Sequence, residues 1–356
     1  MSKSVALLDL SLDELQDLLQ SWGEPPYRAH QMWQAIYRRF ASSPDEMTNL
    51  PSQVRLVAAE HLAFTSGGPV AASTSQDGDT VKILHGLRDG AGVESVDMLH
   101  PQGHTLCIST QAGCGMRCAF CATGQMGLVR NLSPGEIVEQ VLFHARRVRE
   151  RGEKLANIVV MGMGEPFHNY AATMAALDRL SDPRGFRFGA RRMTVSTVGL
   201  VPGIERFSSE KRQINLAVSL HAATDGLRDQ LLPINRTYPL GTLIPACRAY
   251  VEETGRRVSF EWVMIRDVND GLEQARALAE LVRGLTCHVN LIPLNPTAAF
   301  SGEPSPPQAL AEFSEHLRRN HIPCTIRARR GIEIGAGCGQ LATERTKGMP
   351  TTVIAE

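Results

Sequence analysis

No run of about 18 apolar residues occurs in this 356-residue chain, so the pattern a helix needs to cross a bilayer is missing. The opening MSKSVALLDLSLDELQDL also lacks the apolar stretch of roughly 7 to 15 residues and the cleavage site of a secretory leader. A cytoplasmic protein without membrane contact is expected. An excess of one charge is lacking as well. With 37 basic and 37 acidic residues the formal net charge is zero, and no global field draws the chain to nucleic acid. There is no internal repeat and no low-complexity tract, which sets repeat arrays aside. What remains is a chain with 43% hydrophobic residues. At this length that suffices for one large α/β domain with smaller attachments.

Cysteine is scarce too, at eight residues. In a reducing compartment these favour a metal or catalytic role over a disulfide framework. Three of them fall in the run Cys114-Gly-Met-Arg-Cys118-Ala-Phe-Cys121, flanked by Gly113, Gly115 and Gly124. A structural zinc site takes four ligands, and an ordinary electron-transfer iron-sulfur cluster takes four cysteines. Three thiolates on one loop therefore fit a 4Fe-4S cluster with one iron left open for another ligand. The same run also reads as part of a zinc site completed by a remote His or Cys, or as thiols that are merely neighbours. Cys247, Cys287 and Cys324 fall in no motif and read as packing residues.

Along the chain, Ser11-Leu-Asp-Glu14 is a capping box leading into Leu15, Leu18 and Leu19, with Gly23 and Pro25-Pro26 as the stop. A second helix is predicted from Tyr27 to Phe40, with Met32, Trp33 and Ile36 on one side, and a third from Ser52 to Leu62. The Gly- and Ser-rich stretch Thr65 to Thr80 reads as a linker. Strand-like runs follow at Val81 to Leu87, Val93 to Leu99 and Thr105 to Thr110. Ser133-Pro-Gly-Glu136 is a second capping box, with proline at the first helical position and Ile137, Val138, Val141 and Leu142 at helical spacing. Beyond it, strands are predicted at 157–163, 193–198, 214–220, 258–265, 288–293 and 323–328, with helices at 240–253, 272–284 and 307–320. Such alternation implies a parallel sheet.

In parallel α/β barrels the chemistry sits at the carboxyl ends of the strands. The cysteine run follows the strand ending near Thr110, and Met161-Gly-Met-Gly-Glu165-Pro166 follows the next. The glycine pair there, Gly162 and Gly164, is expected to let backbone approach a ligand, and Glu165 offers a carboxylate suited to an ammonium group. Taken alone the motif reads as a turn. Ser196, Ser219, His221 and Asn295 lie at or just beyond strand ends, where each either serves a ligand or caps a helix. Arginines bunch at Arg146, Arg147, Arg149 and Arg151, at Arg184, Arg187, Arg191 and Arg192, and at Arg327, Arg329 and Arg330. Each bunch alone reads as a solvated face; together they are compatible with a localised RNA footprint.

The segments CISTQAGCGMRCAFCATGQMGLVRNL, MGMGEP, STVGLVPGI, LAVSLHA, LLPIN, VNLIPLNP and RGIEIGAGCGQL occur in that order. They closely resemble the RlmN/Cfr family of radical-SAM RNA adenine methyltransferases, and MGMGEP is more similar to the RlmN branch. One departure stands before Cys338, where IEIGAGCGQL replaces a version of DIDAACGQL. The resemblance implies an α/β fold: a partial (βα)6 radical-SAM barrel with a small N-terminal all-helical domain and a short β extension. Residues 1–64 would be a helical RNA-binding domain, in which Arg28, Arg38 and Arg39 are candidate phosphate contacts, and 65–104 linker and β extension. Residues 105–300 would be the barrel core and 301–356 a C-terminal segment carrying the methyl-carrier cysteine.

It further implies a 4Fe-4S cluster on Cys114, Cys118 and Cys121, with S-adenosylmethionine (SAM) on the open iron and two SAM per turnover. SAM contacts map to Gly164, Glu165, Ser196, Ser219, Leu220, His221 and Asn295. Carbon 2 of adenine offers no acidity or nucleophilicity, so methylating it calls for a radical. By resemblance Cys338 takes a methyl group from one SAM, and the 5'-deoxyadenosyl radical from a second removes a hydrogen atom from it. The resulting methylene radical adds to adenine, Glu94 accepts the ring proton, and Cys107 attacks Cys338 to release methylated RNA and leave a disulfide. The implied partners are 23S rRNA, tRNA, an electron donor such as flavodoxin or ferredoxin and a disulfide reductant, acting on a monomer. Alternatives are Cfr-type methylation of carbon 8, which confers antibiotic resistance, and an iron-sulfur RNA-binding protein without turnover. A methylthiotransferase would need a second three-thiolate set, which the remaining cysteines do not supply.

Overall fold

The computed structural model describes residues 4–343 and the backbone of 351–353. The rest of the expected C-terminal segment, 344–350 and 354–356, lies outside the described residues. The chain opens on β1 (Val5–Ala6), which pairs in parallel with β2 (Leu62–Ala63) and so closes a unit of three helices. These are α1 (Leu12–Ser21), α2 (Tyr27–Arg39) and α3 (Ser52–His61). Both halves of the first capping box form: Ser11 Oγ accepts from the Glu14 N–H at 3.2 Å, and the Glu14 carboxylate accepts from the Ser11 N–H at 2.7 Å. Leu12, Leu15 and Leu19 of α1 and Met32, Trp33 and Ile36 of α2 are buried. Phe40 ends α2 in the left-handed region at φ +63°.

Next come β3 (Gly67–Thr74), β4 (Thr80–Leu87), β5 (Gly92–His100) and β6 (Gly103–Cys107), an antiparallel meander. The linker expected at Thr65 to Thr80 is therefore corrected: half of it is strand β3. Its glycines belong to the pairing rather than to a flexible tether. A Cβ on Gly67 would lie 1.8 Å from the Gly86 carbonyl oxygen of β4, so only glycine allows this approach. The hairpin β7 (Gln111–Gly113) and β8 (Leu128–Asn131) brackets the cysteine run and the short helix α4 (Ala122–Met126).

The βα units follow: α5 (Pro134–Glu150), β9 (Leu155–Val160), α6 (Tyr170–Ser181), β10 (Met193–Thr197), α7 (Val201–Ser209), β11 (Asn215–Ser219), α8 (Asp225–Leu231) and α9 (Leu240–Thr254). The series ends with β12 (Val258–Met264), α10 (Leu272–Leu281), β13 (Cys287–Pro293), α11 (Pro307–Arg319) and β14 (Cys324–Ile326). One sheet runs β14-β13-β12-β11-β10-β9-β6-β5-β4-β3-β15, where β15 is Thr351–Val353. From β6 to β14 every neighbour is parallel and each new strand joins the same growing edge, which is the expected open barrel. The strand expected at 323–328 forms as the three-residue β14 at the edge of the sheet. No helix among the described residues is long and apolar enough to cross a membrane.

The helical unit is fastened to the barrel. The Arg179 guanidinium of α6 donates to the Leu8 and Asp9 carbonyls at 2.8 and 2.7 Å, and the Asp9 carboxylate accepts from the Gly135 N–H at 2.8 Å. Arg38 donates to the Gly185 and Pro183 carbonyls at 3.2 and 3.0 Å. Arg38 is thus engaged within the fold, and Arg28 bonds Gln31 and pairs with Glu24.

Under α5, the Ser95 hydroxyl bonds His85 Nε2 at 2.7 Å and His144 Nε2 at 2.8 Å, all three buried. Burial pushes His85 down to about 4 and His144 well below the usual range. The fold thus excludes protons that the unfolded chain binds below about pH 6.5, and stability falls as pH drops from there toward 4. For His85 alone the loss is about 3 kcal/mol near pH 4. Urea midpoints between pH 7.5 and 4.5 should fall less steeply in His85→Gln than in the wild type; equal slopes would contradict this.

Candidate active site

The cysteine loop sits where the parallel strands end. Gly113, at φ +73°, starts it, and a Cβ there would strike the Gly127 carbonyl oxygen at 1.9 Å. Cys114 N–H donates to that same carbonyl at 2.9 Å, and Ala119 N–H donates to the Leu231 carbonyl at 2.9 Å. Phe120 drops into an apolar nest with Ala222, Leu232, Val263, Ile265 and Leu294, from the ends of β11, β12 and β13. His221 meets the Phe120 ring edge-on at 4.8 Å. Burial pushes the Cys114 thiol up to about 12 and Cys118 well above its ordinary range, and the neighbouring cysteines reinforce both shifts. Such thiols are poor thiolates until a cation compensates them, which is what a metal centre does. Among the described residues no three His, Cys, Asp or Glu side chains gather closely enough for a single metal ion. Three thiols on one loop fit a cage whose irons each take one thiolate.

Gly162 and Gly164 make a close approach to the protein's own chain at Ile108 and Gln111. A Cβ on Gly162 would lie 2.7 Å from the Ile108 carbonyl oxygen, and one on Gly164 2.6 Å from Gln111 Cβ. The contact locks β9 onto the strand that leads into the cysteine loop. It also aims Glu165 inward, where its carboxylate accepts from the Phe167 N–H at 3.0 Å and the Val198 N–H at 2.9 Å. Burial nevertheless pushes this carboxyl up to about 7, so a cationic ligand would restore its charge.

Strand register puts Cys107, Ser196, Ser219, Glu261 and Asn290 on one face, the barrel lumen. The Leu220 and Ser219 carbonyls accept from the buried Arg228 guanidinium at 3.2 and 3.3 Å, which also donates to the Val198 carbonyl at 2.7 Å. His221 occupies the left-handed region at φ +58°, costly for a side chain with a Cβ. It is held there because its Nδ1 accepts from the Val263 N–H at 3.0 Å and its carbonyl from Asn269 at 2.8 Å. Burial drives His221 down to about 3, so it is a neutral packing partner here. Asn295 faces the Cys338 loop instead of standing free: its Nδ2 donates to the Cys338 carbonyl at 3.1 Å.

That loop lies directly on the cysteine loop. Ala122 N–H donates to the Gly339 carbonyl at 2.7 Å, and Thr123 Oγ1 to the Leu341 carbonyl at 2.5 Å. Cys338 is accessible, projecting into the barrel mouth, while the protein around it pushes its thiol up; Glu261 and Cys121 add to the shift and Arg327 opposes it. Cys107 is buried, its thiol pushed up by desolvation and by Cys338. Glu94 shares the face of Cys107, since Val96 of β5 pairs with Cys107, and Glu94 Oε2 accepts from the Ala342 N–H at 3.0 Å. Cys114, Cys118, Cys121, Cys107, Glu94 and Cys338 are thus gathered around one mouth. The motif reading missed Lys82, Arg228 and Glu261. For Lys82 and Glu261 a signal existed, a lone charge in each of the apolar strand runs Val-Lys82-Ile-Leu and Phe-Glu261-Trp-Val.

Comparison with known proteins bears on this arrangement. Residues 108–281 match a family model described as the radical SAM superfamily, and residues 5–62 match one described as the ribosomal RNA large subunit methyltransferase N-terminal domain. A protein of Myxococcus xanthus named dual-specificity RNA methyltransferase RlmN 1 is 49% identical over 95% of this chain and 94% of its own length. The chain belongs to the RlmN family. A probable RlmN of Chloroflexus aurantiacus is likewise 49% identical, over 94% of this chain and 92% of its own length. A crystal structure of a radical SAM methyltransferase from Sphaerobacter thermophilus superposes with a TM-score of 0.94 at 51% identity, covering 96% of this chain and all of that one. As an RlmN-family protein the chain has the radical-SAM α/β fold and the helical N-terminal region expected from its sequence.

The cysteine run yields a direct test. Cys118→Ala, reconstituted anaerobically with iron and sulfide, should lose most of its iron and its visible absorbance, whereas Cys247→Ala in the core keeps both. Equal iron in the two variants would contradict ligation by the loop.

Proposed function

We propose that this chain methylates carbon 2 of an adenine in 23S rRNA and of the adenine beside the anticodon in tRNA, with Cys338 as the carrier of the carbon. The observation that carries the reading is the docking of the Cys338 loop on the cysteine loop, with Cys107 and Glu94 on the lumen face beside it. Family membership supports it, since the relatives are named dual-specificity RNA methyltransferases.

Cys114, Cys118 and Cys121 would hold a 4Fe-4S cluster, and Glu165, with Gly164, Ser196, Ser219, Leu220, His221 and Asn295, would receive SAM beside it. When bound, these groups supply a hydrogen-abstracting radical. The chain's own residues do the rest. The Cys338 sulfur takes a methyl group from SAM by displacement, forming an S–C bond as the donor sulfonium loses its own. Cys107 is buried and Cys338 exposed, which leaves Cys338 as the thiol within reach of the methyl donor. Once the carbon is bonded to the adenine ring, Glu94 takes the ring proton, and the surplus electron of the adduct would return to the cluster. Cys107 then attacks the Cys338 sulfur: an S–S bond forms, the S–C bond breaks with its electron pair passing to the carbon, that carbon takes a proton to become the methyl group, and methylated RNA leaves. A disulfide reductant resets the pair, and a flavodoxin or ferredoxin supplies electrons in the cytoplasm.

Residues 1–64 act as the RNA-gripping domain. With Arg28 and Arg38 engaged, exposed Arg39 and Tyr27 are the better-placed contacts there. The target base is extruded to reach the mouth.

Reconstituted protein with SAM, reductant and transcripts of both RNA classes should yield 2-methyladenosine in nucleoside digests. 8-Methyladenosine would assign the carbon-8 chemistry instead, and no methylated adenosine with intact cluster would favour an RNA-binding protein without turnover. Cys107→Ala should stop at a covalent protein–RNA adduct; free methylated RNA from that variant at the wild-type rate would contradict its role.

A further inference from the structure

The antiparallel extension β3 to β5 lies outside the βα repeat, yet it carries one buried ion pair, and that pair faces the barrel mouth. Lys82 Nζ lies 3.0 Å from Glu94 Oε1, with side chains 7% and 1% exposed. Leu84 pairs with Glu94 across β4 and β5, and Lys82 is two residues before Leu84, so the pair is a diagonal contact on one face of the sheet. Val96 pairs with Cys107, which puts the pair on the same face as Cys107.

Each partner also holds the Cys338 loop. Lys82 Nζ donates to the Gly335 carbonyl at 3.3 Å, and Glu94 Oε2 accepts from the Ala342 N–H at 3.0 Å. The two bonds grip the loop on either side of Cys338. Nearby contacts extend the grip: Arg330 donates to Asp79 and to the Leu99 carbonyl at 3.2 and 3.1 Å, and a Cβ on Gly331 would meet Thr80 at 2.7 Å. The extension is therefore the bed of the Cys338 loop. The Glu94 backbone is fixed in turn, its carbonyl accepting from Ser109 Oγ at 2.5 Å.

A buried ion pair is a weak stabiliser, and an apolar pair of equal volume would serve the fold as well. An apolar pair would not supply a carboxylate at the barrel mouth. We propose that Lys82 is the positioning residue of the proton acceptor, holding the Glu94 carboxylate in register with the Cys338 loop. The proposal rests on the reading of Glu94 as acceptor of the adenine proton. In that step the ring C–H bond breaks, its electron pair stays in the ring, the unpaired electron of the adduct would pass to the iron-sulfur cluster, and the proton passes to Glu94 while Lys82 remains an ammonium.

The test uses full-length reconstituted protein with a 23S rRNA fragment, in wild-type, Lys82→Met, Lys82→Arg and Glu94→Gln forms. Mass spectrometry without RNA reads methylation of Cys338, and single-turnover release of methylated RNA is followed against pH. Losing the neighbouring cation makes Glu94 easier to protonate, so a higher pH is needed to ionise it. Lys82→Met should keep Cys338 methylation, slow release on the order of tenfold or more, and move the rising limb of the pH profile upward. Lys82→Arg should restore both rate and limb. Lys82→Gln, which keeps a donor for Gly335, carries the same expectations where Lys82→Met does not fold. An unmoved limb in the Lys82 variants, or a loss of Cys338 methylation equal to the loss of release, overturns the proposal. Wild-type release from Glu94→Gln would instead overturn the acceptor reading, a separable result because it does not involve Lys82.

Discussion

Two hydrogen bonds, from the Ala122 N–H to the Gly339 carbonyl and from Thr123 Oγ1 to the Leu341 carbonyl, join segments more than two hundred residues apart in sequence. They lay the Cys338 loop on the cysteine loop, so the proposed carrier of the carbon and the proposed ligands of the cluster lie side by side. The rest of the structure keeps these two loops in place. Thr123 is 3% exposed, so its bond is shielded from competing water. The proposed passage of a carbon from cofactor to cysteine to adenine would not tolerate an ångström of misplacement.

The barrel supplies the rigid side of that contact. Its parallel strands end in a ring of carbonyls, and Arg228 binds those of Val198, Ser219 and Leu220 with one buried guanidinium. Desolvation pushes that guanidinium down to about 10, but its hydrogen bonds to three carbonyls and to Asn235 use its fixed donor geometry fully. The antiparallel extension supplies the other side. It adds no βα unit, yet it bears Glu94 and Lys82 and beds the 330–342 loop. Burial sets the electrostatics throughout: thiols and Glu165 are pushed up and His221 is pushed down, so the mouth favours neutral groups until a charged ligand enters.

Much of this was legible in the sequence because the relevant signals are local. The two capping boxes, the apolar spacing of α2 and α5 and the strand–helix alternation each depend on neighbours within a few residues, and each produced the expected element. The three-thiolate run also stood out, since only its spacing matters. Local reading failed where a partner is distant. Gly67 suggested a tether because the strand that needs it small, β4, begins more than ten residues later. The approach of Gly162 and Gly164 to Ile108 and Gln111, and the bonds of Arg38 to carbonyls past residue 180, were equally out of local reach. Lys82 and Glu261 were visible as lone charges in apolar strands, but which face they occupy follows only from register.

The most direct measurement follows the carbon. Protein incubated anaerobically with SAM carrying a trideuterated methyl group, then given RNA, can be sampled for the Cys338 peptide and for modified adenine. The expected result is label on Cys338 before RNA is added, moving to adenine afterwards with one deuterium of the three lost to hydrogen abstraction. An unlabelled Cys338, with adenine receiving all three deuteriums intact, would show direct transfer from SAM and contradict the carrier role of Cys338.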